Sequence, residues 1–260
     1  MMPSSSPSTP LHAVALIVLF AASRSLSTPP PTVRILCFGD SLTAGSIDMD
    51  GSGGLFPYAT HLKAALEEQA PESTWQVGHL GMPGWTAEQM VQTADDPVRG
   101  LRHRLKQVQN PSLSLVVILA GTNDLGYWYE SPVEDAAAGI LQSITALHVM
   151  AHERNVASLA VGIPTSRSQQ QVSPLRELRL RVNERLGEWA EASSASRASY
   201  TPFPSSVVPD PQINPKEDEF WSEDGLHLTA KGYAAMGRAL AGNVRRALLQ
   251  KEETKHSWDL

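Results

Sequence analysis

Serine, histidine and aspartate stand in this chain where they could act together on an acyl group. Ser41 sits in Gly39-Asp40-Ser41-Leu42, directly after the apolar run Ile35-Leu36-Cys37-Phe38, and Asp224 and His227 are three residues apart in Asp224-Gly225-Leu226-His227. A serine hydroxyl is a weak nucleophile until a base takes its proton, and the base needs a carboxylate to fix its tautomer. In a turn entering a helix, Asp224 can hold Nδ1 of His227, which leaves Nε2 for Ser41. The oxyanion of acyl transfer needs preorganised donors. The backbone N–H groups of Ser41 and of Gly84 in "HLGMPGWT", with the side-chain amide of Asn123 in "AGTNDLGY", can supply three. Taken singly, each residue has a structural explanation. Ser41 can cap a helix or sit in a turn, Gly84 can supply a positive φ, Asn123 can make an Asx turn, and Asp224 and His227 can be solvated groups ahead of a helix. Their joint occurrence favours the chemical reading.

The elements that must position them follow from periodicity. Val33–Phe38 reads as a first strand. Leu55–Gln69 reads as a helix, with Leu55, Tyr58, Ala59, Leu62, Ala65 and Leu66 on one face. Thr74–Leu80 is a second strand, and Thr86–Gln109 is one broken helix or two short ones, because Pro97 interrupts it. Leu113–Ala120, "LSLVVILA", is apolar on both faces and belongs in the middle of a parallel sheet. Ser131-Pro132-Val133-Glu134 reads as a helix start with Ser131 as cap and a capping-box Glu. Val133, Ala137, Ile140, Leu141, Ile144 and Leu147 follow it as a buried stripe. A fourth strand at Asn155–Ile163, a helix opening at Ser173-Pro174 and a weaker strand at Ala198–Phe203 lead to a last helix over about Thr229–Leu249. Strands and helices that alternate in this way imply a parallel sheet covered on both faces. In such sheets ligands bind at the carboxyl ends of the strands, which is where the loops holding Ser41, Gly84 and Asn123 fall.

These motifs, in this order and spacing from about Val33 to Leu249, resemble the SGNH or GDSL-type hydrolases, which are esterases and lipases. The resemblance implies a three-layer α/β/α sandwich with a five-stranded parallel, flavodoxin-like sheet. It implies Ser41, Asp224 and His227 as the catalytic set, and Ser41, Gly84 and Asn123 as the oxyanion hole. No cofactor is implied. The pattern usually has Asn where this chain has His79, which leaves the hydrogen bonding of the Gly84 loop open. A nucleophile elbow Gly-x-Ser-x-Gly is absent, since Thr43 stands two residues after Ser41. Apart from Asp224 with His227, the histidines show no metal-ligand spacing, so no metal site is expected. Asp40 reads as a brace for the Ser41 turn, because a reacting carboxylate there would oppose the developing negative charge. Tyr127, Trp128 and Tyr129 can wall a substrate pocket or simply cover a core edge. Asp48, Asp50, Gly51, Gly53 and Gly54 read as a substrate-side lid rather than a calcium loop. The substrate expected is a small-molecule, glycan or lipid ester. An acetylated carbohydrate, a thioester or a lysophospholipid would use the same site, and a binding module that has lost turnover is the rival from another class.

Composition sets the outer limits. The chain has 260 residues, 42% of them hydrophobic and 18% charged, which suits one globular α/β domain. Its formal net charge is -6 with no basic block, which argues against a nucleic-acid partner. Cys37, the one cysteine, can form no intrachain disulfide and reads as a small buried hydrophobe. The apolar run Ala13–Ala22, the small residues Ala21, Ala22 and Ser23, and then "STPPPT" resemble a signal peptide, too short to span a bilayer. Against that, no Lys or Arg precedes Arg24, so the usual charge of a signal n-region is lacking; secretory-pathway entry is still the expectation, with an uncleaved anchor or a disordered cytosolic extension as alternatives. The division expected is therefore a leader and Pro-rich spacer over 1–32, a hydrolase domain over 33–250 and a polar tail over 251–260. The oligomeric state is left open by the sequence.

Overall fold

In the computed structural model the described residues are 30–49, 52–107, 112–167, 169, 172–193, 197–207 and 217–256, of which 251–256 are described by backbone alone. The signal-like run lies outside them. Five strands form one sheet: β1 (Thr32–Asp40), β2 (Thr74–Met82), β3 (Leu115–Leu119), β4 (Ala157–Val161) and β5 (Ala198–Thr201). Their order is β2-β1-β3-β4-β5, and every neighbouring pair is parallel. This is the doubly wound order in which the direction of strand addition reverses, with the switch point between β1 and β3.

The strands hold the middle because both their faces are apolar. All of Leu-Val-Val-Ile-Leu in β3 is buried. Alternate residues serve opposite cores, as the two-residue repeat of a strand requires. Ile35, Cys37, Leu115, Val117 and Leu119 pack under α2 (Tyr58–Gln69) and the last helix (Ala230–His256), against Leu62, Leu66, Met236 and Leu240. Leu36, Phe38, Val116 and Ile118 pack on the other face, against Met90, Leu101, Ile140, Ile144, Leu178 and Val182. That second layer is built by α3 (Ala87–Gln92), α4 (Leu101–Gln107), α6 (Val133–His152) and α7 (Ser173–Ala192), and the last helix is α8. Each fully buried leucine or isoleucine in these layers contributes about 1.5–3 kcal/mol. Cys37 is buried, and desolvation, against a Tyr58 hydrogen bond, pushes its thiol up to about 12, so it is an inert core residue. No described helix is long and apolar enough to cross a membrane.

Several boundaries differ from the sequence reading. Leu55 lies outside α2 and is exposed; it pairs with Ser46 in an isolated antiparallel bridge. The expected Ser131 cap does not form. Pro132 occupies the cap position with φ -54° and ψ 128° and no side-chain hydrogen bond, so α6 starts a residue too late for the Ser131 hydroxyl to reach its first free N–H groups. β4 begins only at Ala157, two residues after Asn155, which holds a positive φ of 58°. α8 runs on to His256, beyond the expected Leu249, through Lys-Glu-Glu-Thr-Lys, which is mostly good helix formers.

Candidate active site

β1 runs without a loop into α1 (Ser41–Ala44), so Ser41 is both the end of a buried strand and the first residue of a helical turn. Asp40 fixes that turn: its Oδ1 accepts the Leu42 N–H at 3.0 Å. Asp40 is fully buried, and desolvation, opposed by the Leu42 N–H, pushes its carboxyl up to about 7. It is the brace expected from sequence. α1 lies tight against the end of β2 because position 81 is glycine: a Cβ there would fall 2.1 Å from the Ala44 nitrogen. That approach brings the loop after β2 beside Ser41, and Gly84 turns the loop with a φ of +78°.

The segment before α8 is folded on itself as a small loop. Trp221 and Leu228 form an antiparallel bridge, the Ser222 N–H donates to the His227 carbonyl at 2.9 Å, and the Thr229 N–H donates to the Phe220 carbonyl at 2.8 Å. Gly225 makes the turn with a φ of +67°. The Asp218 carboxylate anchors the base of the loop, accepting the Phe220 and Trp221 N–H groups at 2.9 and 3.0 Å and pairing with the Arg167 guanidinium at 2.7 Å. Thr229 accepts the Gly232 N–H at 3.1 Å and so caps α8. The Tyr233 hydroxyl in α8 donates to the Ser46 carbonyl at 2.6 Å, which ties this side of the site to the loop after Ser41.

The two segments meet across 186 residues of sequence. His227 Nε2 and Ser41 Oγ are 2.9 Å apart, and His227 Nδ1 and Asp224 Oδ2 are 2.7 Å apart. A carboxylate only accepts, so Nδ1 carries the imidazole proton and the Ser41 hydroxyl donates to Nε2. Asp224 is held as an anion. Burial works against that, but the His227 ring, the His227 and Leu226 N–H groups and the Ser222 hydroxyl hold its carboxyl well below the usual carboxylate range. A neutral imidazole between an anion and a serine hydroxyl can remove the serine proton as the oxygen attacks. Ser41 and His227 are both buried and line a cavity of about 390 Å³. Gly84, Asn123, Pro83, Leu226, Ser46, Asp48, Met49 and Leu55 complete its wall.

All five residues expected to share a site line one place or touch a residue that does. Asn123 sits in α5 (Thr122–Trp128), and its Nδ2 donates to the Trp85 carbonyl at 2.8 Å. One amide N–H is thus committed to the Gly84 loop and one is left for the pocket. Its neighbour Asp124 was missed in the sequence. Its buried carboxylate accepts the Ala87 N–H at 3.2 and 2.9 Å, and burial, opposed by that N–H, pushes it up to about 6. Together Asn123 and Asp124 pin both ends of Trp85–Ala87. The only local sign of this is the acid that follows Asn in "TND". His79 does not shape the loop: it faces solvent on the sheet-edge strand β2, in register with Cys37.

Tyr127 and Trp128 do not wall the Ser41 pocket. They line a separate groove of about 540 Å³ with Thr86, Glu88, Gln89, Gln92, Asp124 and Ser131. α5 is the reason: it starts on the pocket side at Asn123 and carries residues 127 and 128 a full turn away. Of the expected lid, Asp50 and Gly51 lie outside the described residues. Asp48 accepts the Gly53 N–H at 2.7 Å and the Ser52 hydroxyl at 3.2 Å, and the Phe56 N–H donates to the Gly45 carbonyl at 2.7 Å, which closes the loop at its base.

Residues 37–235 match the model of the GDSL-like lipase/acylhydrolase family. Among solved structures the chain is similar to the lipase Lip_vut3 from a goat rumen metagenome, at 18% identity and a TM-score of 0.58 over 83% of this chain and 97% of that one. It is similar to a carbohydrate acetylesterase family member from Sinorhizobium meliloti, at 22% identity and a TM-score of 0.55 over 83% and 99% of the two chains. A suggested arylesterase from Agrobacterium tumefaciens has 24% identity and a TM-score of 0.55 over the same shares. At these identities the structural likeness speaks to the fold. No match was found among curated protein sequences.

Proposed function

The chain belongs to the GDSL-like lipase/acylhydrolase family and is an ester-hydrolysing enzyme, and from that premise we propose that it is a serine esterase in which Ser41 is the nucleophile, His227 the base and Asp224 the orienting carboxylate. The observation that carries this is the relay of two short contacts, Asp224 Oδ2 to His227 Nδ1 at 2.7 Å and His227 Nε2 to Ser41 Oγ at 2.9 Å. Ser41 Oγ attacks the ester carbonyl while Nε2 takes its proton. The tetrahedral oxyanion is held by the Ser41 and Gly84 N–H groups, with the second side-chain N–H of Asn123. Collapse expels the alcohol, which leaves with the proton from Nε2. Water then attacks the acyl-enzyme, Nε2 takes its proton, and Ser41 is regenerated with release of the carboxylic acid.

Hydrolysis of p-nitrophenyl acetate tests the reading. An acyl-enzyme predicts a nitrophenol burst when deacylation is the slow step, and loss of nearly all turnover in His227→Ala while the melting profile stays cooperative. Retention of near-parental turnover by His227→Ala would remove His227 from the role of base.

A further inference from the structure

The second cavity lies beside the reactive one. Gly84 and Asn123 face the Ser41 pocket, while Thr86 and Asp124, one or two residues on, face the 540 Å³ groove. The wall between them is the pair of segments pinned by the Asn123–Trp85 and Asp124–Ala87 hydrogen bonds. Two aromatic side chains stand at this groove: Tyr127 is 74% exposed and Trp128, covered in part, 39%. Trp128 is not loose, because its ring rests over α6 where Gly139 leaves room; a Cβ at 139 would meet it at 4.0 Å. Opposite them stands the first turn of α3, locked by its capping box between Thr86 and Gln89. In that box Gln89 uses its carbonyl oxygen on the Thr86 N–H at 3.0 Å, and Gln92 donates to Glu88 Oε1 at 3.1 Å. Those bonds leave the Gln89 amide N–H pair, the second Glu88 oxygen and the Gln92 carbonyl oxygen uncommitted.

Exposed aromatic faces opposite planar amides and a carboxylate suit one ligand class. A pyranose ring offers an apolar face of C–H groups to the negative face of an aromatic ring, and a rim of hydroxyls to groups that both donate and accept. No Lys or Arg lines the groove, and Glu88 and Asp124 do, so anionic ligands such as phosphates or uronates are disfavoured. Its volume falls within the roughly 300–1,000 Å³ that holds a small ligand. We propose that the groove between α3 and α5 is a subsite for a neutral saccharide chain, which presents an O-acyl substituent of that chain to Ser41. This deepens the esterase reading and rests on it.

The test compares acetylated xylo-, manno- and chito-oligosaccharides with p-nitrophenyl acetate, which carries no saccharide, in the parent and in Tyr127→Ala/Trp128→Ala. The proposal expects kcat/KM on at least one oligosaccharide, normalised to p-nitrophenyl acetate, to fall about tenfold or more in the double variant, mainly through KM. It also expects Ser41→Ala to bind the matching deacetylated oligosaccharide, by equilibrium dialysis, and to lose that binding when the double substitution is added. Absence of turnover on p-nitrophenyl acetate itself would count against the esterase reading. Turnover there, with no oligosaccharide whose normalised kcat/KM depends on the two aromatics, would overturn the saccharide subsite. So would loss, in the double variant, of binding to phosphatidylcholine vesicles instead, since the rings would then serve a lipid surface.

Discussion

Replacing Asn123 by alanine separates catalysis from simple binding, because the side chain makes two kinds of contact. One N–H reaches the Trp85 carbonyl at 2.8 Å, and the second is assigned to the oxyanion in the cavity that Asn123 lines with Ser41. Loss of the first contact acts on the folded state: a hydrogen bond of this kind is worth about 0.5–1.5 kcal/mol, so a modest fall in Tm is expected. Loss of the second acts where negative charge develops. Removal of a single oxyanion donor costs about 10²- to 10³-fold in turnover, or roughly 3–4 kcal/mol. The second effect exceeds the first, so Asn123→Ala remains folded at assay temperature and yet is slow. The assay is steady-state hydrolysis of p-nitrophenyl acetate, with kcat and KM determined separately beside a denaturation curve. A fall in kcat of two to three decades with a smaller change in KM is the expected outcome. A raised KM with unchanged kcat would mean that Asn123 only holds ground-state substrate, and the oxyanion assignment would be abandoned.

Asp40→Asn keeps the acceptor for the Leu42 N–H and removes a carboxyl that burial raises from 3.8 to about 7. The folded state holds that proton longer than the unfolded state, so the aspartate costs stability progressively as pH rises from about 4 to 7 and then by a constant amount, on the order of a few kcal/mol. Urea denaturation should therefore show Asp40→Asn gaining on the parent across that window; no change in the difference between pH 4 and 8 would refute it. His148 is fully buried, bonded through Nδ1 to Ser158 Oγ at 2.7 Å, and desolvation, with His152 beside it, lowers it from 6.5 to about 3. Here the unfolded state takes up the proton first, so stability falls as pH drops from about 6.5 toward 3, and His148→Leu should flatten that slope in the same experiment. With a reactive cavity of about 390 Å³, acetyl to hexanoyl nitrophenyl esters should be cleaved faster than palmitoyl esters; a rate that climbs steadily with chain length would contradict this.

What could be read in the sequence depended on how far apart the interacting groups lie. The run Leu115–Leu119 announced a central strand because burial on both faces leaves no polar residue in it. The alternation of strands and helices then fixed the sheet edge at which Ser41, Gly84 and Asn123 gather, and Asp224 and His227 were legible as a pair because their bond spans only three residues. The support of the site was harder to see. The Asn123–Trp85 bond joins residues 38 apart, and the Arg167–Asp218 pair residues 51 apart, so neither leaves a local pattern. Tyr127 and Trp128 were visible as loop aromatics, but which cavity they line depends on the pitch of α5. Ser131 failed as a cap for a similar reason: the backbone angles at Pro132, not residue type, decided where α6 begins.

The central claim, that Ser41 is an activated nucleophile, is tested most directly by reaction with a fluorophosphonate probe, read by intact mass and by mapping of the modified peptide. The account predicts one rapid adduct, on Ser41, that vanishes in Ser41→Ala, slows by orders of magnitude in His227→Ala and persists in Asn123→Ala. A Ser41→Ala protein that still takes the probe and still hydrolyses p-nitrophenyl acetate would show that Gly39-Asp40-Ser41-Leu42 is only a turn here and that the chemistry lies elsewhere.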